Sequence, residues 1–269
     1  MNIQPHAPNW YDRLSSLQHG YYYPWKSRIG PRNGEDAYLN VVHQYLTSEK
    51  DVLDVGCGHG ELALELAPHC RSILAYDRVE SYIQIAQESA QEKNVENVTY
   101  LYFDSSHESN NGIVRIPAEA QSFDVMISRR GPLHWLEDAR RVARAGAMLI
   151  QLNPLETPLP PWADLLPEPL RSAAGIELQS GMLNTVKYRL ELGGLALHSA
   201  WTYDVPEFFD DPHELYTRLS WGYIPGEVPS WDDVQSIMEQ IFSDYSSGSD
   251  GLAMRHTRLL WTAFVKTTS

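Results

Sequence analysis

Val52-Leu53-Asp54-Val55-Gly56-Cys57-Gly58-His59-Gly60-Glu61 is the stretch whose reading decides the fold. Val52, Leu53 and Val55 form a short apolar run rich in β-branched residues, the pattern of a strand buried on both faces of a parallel sheet. Gly56, Gly58 and Gly60 follow. Backbone without Cβ atoms suits a tight turn that approaches something closely. From Glu61 to Ala67 the pattern becomes helical, with Leu62 and Leu66 on one face. A strand that enters a helix through bare backbone turns N–H groups and the positive helix end outward, ready for a polar or anionic ligand.

Asp54-Val55-Gly56-Cys57-Gly58-His59-Gly60 resembles the first motif of class I S-adenosylmethionine-dependent methyltransferases, acid-x-Gly-x-Gly-x-Gly. The dinucleotide-binding pattern Gly-x-Gly-x-x-Gly is the rival, but it places its third glycine one residue later and does not require the acid. The resemblance implies an α/β, Rossmann-like fold. Its seven-stranded, mostly parallel sheet would have helices on both faces and an antiparallel last strand. The cofactor it implies is S-adenosyl-L-methionine, leaving as S-adenosyl-L-homocysteine. Asp54, Gly56, Cys57, Gly58 and Gly60 would bind it, the acid helping to hold the methionine end, whose ammonium needs a carboxylate.

Downstream, Ser72 to Tyr76 reads as a second strand with Asp77 at its tip, 19 positions after Gly58. An acid there is placed to accept both hydrogen bonds of a ribose diol, although it also precedes a helix, where an acid is at home. Asp77→Ala is therefore expected to weaken cofactor binding and leave the fold intact. Arg78 is expected along the adenosine. Val79, Ile83, Ala86 and Ala90 stripe the next helix as core. Asn97 to Phe103 is a third strand, followed by Asp104-Ser105. The resemblance implies an acid near the adenine amino group here; the residues by themselves also suit an Asx turn.

Phe123 to Ile127 is the fourth strand. Ser128-Arg129-Arg130-Gly131-Pro132 then lies where the transferred methyl is expected, because ligands of such sheets gather outside the carboxyl ends of strands. Ser128 joins the expected cofactor set. Arg129 and Arg130 suit a carboxylate or phosphate on the acceptor, or they bridge acids. His134 to Arg144 reads as a helix with Glu137 and Arg141 as an i,i+4 pair and Arg140, Arg141 and Arg144 in its last turn. Ala147 to Leu152 is the fifth strand. A proline-rich loop with Trp162 inside it, long enough to serve as a lid, spans Asn153 to Leu170. Met182 to Leu192 is a helix, Leu195 to Tyr203 a sixth strand and Arg255 to Lys266 a last, antiparallel one. Between them, residues 204–250 read as an insertion with helices starting at Asp211 and Ser230. Residues 1–34 form an aromatic cap segment ahead of a domain spanning 35–269, with Asn33 capping the first helix of that domain.

The chain has 269 residues and is 43% hydrophobic, enough for one large domain. Its net charge of −14, from 35 acids and 21 bases, disfavours a protein whose affinity comes from neutralising phosphates. Two cysteines, Cys57 and Cys70, give neither a disulfide framework nor a metal ribbon, and no metal is expected. With no signal-like start and no membrane-length apolar run, a soluble cytoplasmic protein without a membrane partner is expected.

A sulfonium methyl is already electrophilic, so alignment of the acceptor is the main task. A hydroxyl or protonated amine acceptor would need a general base, for which His134, Tyr22 and Tyr23 are candidates. Tyr22 and Trp25, with Arg129 and Arg130, are candidates for the acceptor pocket. Nucleobase methyltransferases usually carry Asn/Asp-Pro-Pro-aromatic after the fourth strand; here Ser128-Arg129-Arg130-Gly131 stands instead. The leading expectation is methyl transfer to a small molecule. The alternatives are an RNA or tRNA base methyltransferase, a cofactor-binding regulator without turnover and, more distantly, a dinucleotide-dependent oxidoreductase.

Overall fold

A computed structural model describes residues 8–175 and 181–265. Residues 1–7 of the expected cap segment and Lys266 of the expected last strand lie outside the described residues. The strands are β1 (Arg28–Ile29), β2 (Asp51–Val55), β3 (Ser72–Asp77), β4 (Val98–Tyr102), β5 (Phe123–Arg129), β6 (Ala143–Pro154), β7 (Leu195–Phe209) and β8 (Leu252–Val265). They form one sheet in the order β1-β7-β8-β6-β5-β2-β3-β4. The stretch from β4 to β6 is parallel, β8 runs antiparallel to β6 and β7, and β1 pairs antiparallel with β7. The chain winds outward from β2 through β3 to β4, then returns to lay β5 on the other side of β2. The carboxyl ends of β2 and β5 therefore flank the switch point at which open α/β sheets take their ligands.

The helices are α1 (Pro8–Leu17), α2 (Gly34–Tyr45), α3 (Glu61–Leu66), α4 (Glu80–Glu92), α5 (Leu136–Val142), α6 (Leu170–Ala174), α7 (Met182–Leu192), α8 (Pro212–Leu219) and α9 (Trp231–Tyr245). Alternation along the strands divides the core. Val52, Ile73, Val125, Ile127 and Ile150 pack with α2, α3 and α4. Leu53, Val55, Met126 and Leu149 pack with α5 and α7 on the other face. A third cluster joins α6, α8 and α9 to Phe209, Leu252 and Met254.

Several expectations need correction. The N-terminal segment is more than a cap: it holds α1 and the short β1, which makes the sheet eight-stranded rather than seven-stranded. β1 forms because β7 continues past Tyr203 to Phe209 and offers Glu207 and Phe208 as partners for Ile29 and Arg28. Residues 204–209 thus belong to the sheet, and the helical insertion begins only after them. The proline-rich loop is no free lid, since Trp162 is fully buried in the third core cluster.

Helix α5 starts at Leu136 instead of His134 and ends at Val142, because β6 has already begun at Ala143. Arg144 is consequently a strand residue, and its guanidinium bridges Asp51 at 2.7 Å and Asp124 at 2.6 Å. The Glu137–Arg141 pair does not form. Arg141 bonds Asp138 and the carbonyls of Ile116 and Ala118, whereas Glu137 takes Arg189 and His107.

Candidate active site

β2 ends in a turn whose three glycines all have positive φ, +68° at Gly56, +56° at Gly58 and +81° at Gly60. Gly60 is needed twice over. A Cβ there would lie 2.7 Å from the Ala86 Cβ and 2.7 Å from the Tyr100 ring, and the backbone sits in the left-handed region. The turn is tied to β3 by hydrogen bonds from the N–H groups of Gly56 and Cys57 to the Tyr76 carbonyl, 2.9 and 3.1 Å. Asp77 completes the tie. Its Oδ2 accepts from the Gly58 N–H and its Oδ1 from the Val79 N–H, both at 2.9 Å. Burial raises the Asp77 pKa, and these two backbone donors act against that rise. The Cys57 thiol beside it is kept protonated, chiefly by burial.

Asp54 lies in β2, one residue before the strand ends. It is 1% exposed, and its Oδ2 has no hydrogen-bond partner. Burial pushes its pKa up to about 7, with Arg129 opposing the rise. The buried hydroxyl of Tyr38, on α2, also lacks a partner, and its charged neighbours are Asp54, Arg129, Glu35 and Arg130. Two orphaned polar atoms beneath a bare glycine turn are a cradle for a ligand that brings its own donors. An α-ammonium meets the carboxylate, so the residues present fit the methionine end of S-adenosylmethionine.

Beyond β4, Asp104 accepts from the Ser106 N–H at 2.9 Å and the Ser109 hydroxyl at 2.7 Å, the Asx turn that its sequence also suited. Ser105 is buried between the Tyr76 hydroxyl, 3.2 Å away, and His134 Nε2, 3.0 Å away. His134 therefore stands at the β4 end of the site, with Asp104, His107, Arg189 and Glu137 as its titratable neighbours, and burial lowers its pKa. The Ser128 hydroxyl donates to the Val55 carbonyl at 2.8 Å and struts β5 against β2. Arg78 reaches back to Asp12 on α1 at 3.0 Å and lies 3.9 Å from Asp104. Arg129 faces the exposed Glu61 at 3.8 Å.

A roof of aromatic side chains comes from distant parts of the chain. The Tyr21 N–H donates to His59 Nδ1 at 3.1 Å, which seats the N-terminal segment directly on the glycine turn. Tyr21, Tyr23 and Trp25 alternate inward, while Tyr22 between them is 49% exposed. Trp221, at the end of α8, contacts Trp10, Tyr21, Tyr23 and Trp25. Its indole N–H donates to Gln18 at 3.0 Å. Sequence reasoning missed Glu35, Tyr38 and Trp221 as candidate site residues, and of the N-terminal tyrosines it chose Tyr22 rather than Tyr21 for the acceptor pocket. For Tyr21 a signal existed: extended backbone alternates sides, so Tyr21, Tyr23 and Trp25 share one face and Tyr22 takes the other.

Residues 52–154, from the first buried strand to the end of β6, match the family model described as a methyltransferase domain. Over these residues the chain is similar to a methyltransferase domain. A protein of Bacillus subtilis named as the uncharacterized methyltransferase YcgJ is 31% identical over 118 residues, 44% of this chain and 43% of that protein. The ubiquinone biosynthesis O-methyltransferase of Coxiella burnetii is 32% identical over 114 residues, 42% of this chain and 44% of that one. The matched segment thus spans less than half the length of these curated relatives. Likeness over nearly the whole chain exists at the level of fold. The crystal structure of a functionally unknown protein from Deinococcus radiodurans R1 has a TM-score of 0.64 at 19% identity, covering 96% of this chain and 100% of its own. Among the described residues no cluster of three metal-ligating side chains occurs, and no helix is long and apolar enough to cross a membrane.

Proposed function

We propose that the protein is an S-adenosylmethionine-dependent methyltransferase acting on a small-molecule acceptor. The observation that carries this reading is the buried carboxylate oxygen of Asp54, left without a partner beneath the glycine turn of the methyltransferase domain. When bound, S-adenosylmethionine supplies an electrophilic sulfonium methyl, which passes to a lone pair on the acceptor as the carbon–sulfur bond breaks and neutral S-adenosylhomocysteine leaves.

The chain's own residues have the following parts in this reading. Asp54 holds the α-ammonium, with the Tyr38 hydroxyl beside it. Gly56 to Gly60 admit the cofactor against bare backbone. Asp77, fixed by the Gly58 and Val79 N–H groups, presents its remaining lone pairs to the ribose hydroxyls. Asp104 and Ser105 border the adenine. The aromatic roof excludes water and confines the acceptor, which favours a near-attack geometry. The small, aromatic-lined roof and the acidic surface support a small acceptor over a nucleic acid.

Calorimetry with S-adenosylhomocysteine tests the cofactor assignment. Gly58→Val, whose branched side chain would enter the space above the turn, should abolish the binding signal. An unchanged affinity in that variant would remove the glycine turn from the site. Release of S-adenosylhomocysteine upon incubation with a library of small acceptors tests turnover, and none with any acceptor class would favour a regulator that only binds the cofactor.

A further inference from the structure

Arg130 carries a positive charge that its surroundings do not neutralise by direct hydrogen bonding. It follows β5 in the left-handed region, φ +66°, and its N–H is fixed to the Leu152 carbonyl at 2.8 Å. A non-glycine residue held there is strained, and such strain concentrates at functional positions. Its side chain is only 15% exposed, and Nε is buried without a hydrogen-bond partner. Nη1 donates to the Tyr23 hydroxyl, a neutral oxygen. The rings of Tyr21 and Tyr23 lie 5.9 and 5.0 Å from the guanidinium carbon. The carboxylate paired with it, Glu35, stands at 3.8 Å, beyond hydrogen-bond reach. That same Glu35 oxygen accepts from Arg258 at 2.9 Å.

The neighbourhood does not correct the imbalance. Arg218 lies 3.7 Å from Glu207, and Glu207 also accepts from Ser27 and Trp25. His256 is buried beside these groups and is neutral at pH 7, because burial and Arg258 push its pKa down to about 4; its Nδ1 also lacks a partner. Three arginines thus face two glutamates in a chain whose net charge is −14. A desolvated guanidinium without a bonded anion is costly, and the arrival of an oxyanion relieves that cost. The walls are apolar. Tyr23 and Trp25 stack at 4.7 Å, and Trp221 stands edge-on to both at 5.1 and 5.4 Å. Tyr23 is 37% exposed and forms the mouth. The cofactor side is adjacent: a Cβ on Gly56 would lie 3.3 Å from Pro132 and 3.4 Å from Gly131, the two residues after Arg130.

We propose that Arg130, walled by Tyr23, Trp25 and Trp221, is the oxyanion-binding subsite of the acceptor, and that the acceptor joins an apolar or aromatic body to a carboxylate or phosphate. The Tyr23 hydroxyl is the placeholder that such an oxyanion displaces. This assignment rests on the methyltransferase reading for calling the ligand an acceptor, but the subsite itself does not depend on it.

The test uses the full chain with S-adenosylhomocysteine present and follows tryptophan fluorescence during titration with 2-naphthoate, 2-naphthyl phosphate and the neutral 2-naphthamide. At least one oxyanion should bind about tenfold tighter than the amide, the advantage of a charge-assisted pair over a neutral one. Which oxyanion does so identifies the group. Arg130→Gln should erase the preference, and Tyr23→Phe should keep or strengthen it. Equal binding of the amide and both oxyanions, or a preference that survives in Arg130→Gln, overturns the proposal. Should Arg130→Gln fail to fold by circular dichroism, the wild-type ratio and Tyr23→Phe decide: loss of the preference in Tyr23→Phe counts against the placeholder and against the subsite. Calorimetry with S-adenosylhomocysteine on the same wild-type sample separates the two readings. No cofactor heat with an intact oxyanion preference refutes the methyltransferase and leaves the subsite standing.

Discussion

Replacing Asp54 by asparagine should uncouple cofactor binding from protons. The carboxyl is fully buried with one oxygen unbonded, and its pKa is pushed from 3.8 up to about 7. That displacement corresponds to roughly 4 kcal/mol between the neutral and ionised forms in the folded chain. The folded pKa lies above the unfolded one. The group's contribution is therefore fully present below about pH 4 and is lost as pH rises through 7. A bound α-ammonium reverses the balance, because it favours the carboxylate. At pH 6 about nine in ten Asp54 side chains hold a proton in the free protein, and binding must release it. Calorimetry with S-adenosylhomocysteine at pH 6, in two buffers of different ionisation enthalpy, should report about 0.9 proton released per site. Affinity should rise about tenfold between pH 6 and 8. In Asp54→Asn both effects should vanish, while the variant melts no lower than the wild type at pH 8, where it spares the fold a buried charge. Proton release and pH dependence that persist unchanged in Asp54→Asn would refute the ammonium–carboxylate pairing.

Asp77→Ala should not leave the fold untouched as its tip position alone suggested: it strands the Gly58 and Val79 N–H groups, so urea unfolding should show a loss of about 2–4 kcal/mol, together with weaker S-adenosylhomocysteine binding. Gly60→Ala should cost about 2–3 kcal/mol or more in the same assay, since the new Cβ meets Ala86 and Tyr100 at 2.7 Å on a left-handed backbone. Tyr38→Phe removes a buried hydroxyl that has no partner, so stability should hold or rise by about 1 kcal/mol, while S-adenosylhomocysteine binds several-fold more weakly in calorimetry. A generic single-stranded RNA should show no binding by fluorescence anisotropy even at low salt, where phosphate contacts are strongest; tight, salt-sensitive binding would restore the RNA-methyltransferase reading.

Some of this was readable from local pattern. The strand–glycine turn–helix unit and the aspartates near the tips of β2 and β3 follow from neighbouring residues, because a strand tip and the turn after it are consecutive in the chain, whereas the mostly parallel sheet was implied by the family resemblance. What misled was competition between elements. Glu137 and Arg141 have the right spacing on one helix, yet Asp138 and the loop carbonyls at Ile116 and Ala118 already claim the guanidinium, and Arg189 from α7 claims the glutamate. Pro206 lies in the part of β7 that extends past Tyr203. It is tolerated because the missing N–H is not needed for the contact with Gly30, whose N–H donates to the Pro206 carbonyl at 2.8 Å.

The roof obeys a different logic. Arg130 comes from the β5 tip, Tyr21, Tyr23 and Trp25 from the N-terminal segment, Glu35 from α2, Trp221 from α8 and Arg258 from β8. No spacing rule links them: Arg130, Tyr23 and Trp25 could each be singled out for the acceptor side, but nothing in the sequence ties Tyr21, Glu35, Trp221 and Arg258 to them. Only their convergence exposes the imbalance of charge, since the carboxylate that Arg130 would have used is bonded to Arg258. The two halves of the site thus answer to different constraints. The glycine turn and its aspartates are bound by the shape of a consecutive β-turn-α unit. The acceptor side can be changed by substitutions in five separate segments without disturbing that unit. Truncation of Trp25 or Trp221 should accordingly weaken the binding of the naphthyl probes while leaving the heat and stoichiometry of S-adenosylhomocysteine binding in place; a roof substitution that abolished cofactor binding would show that the two halves are one.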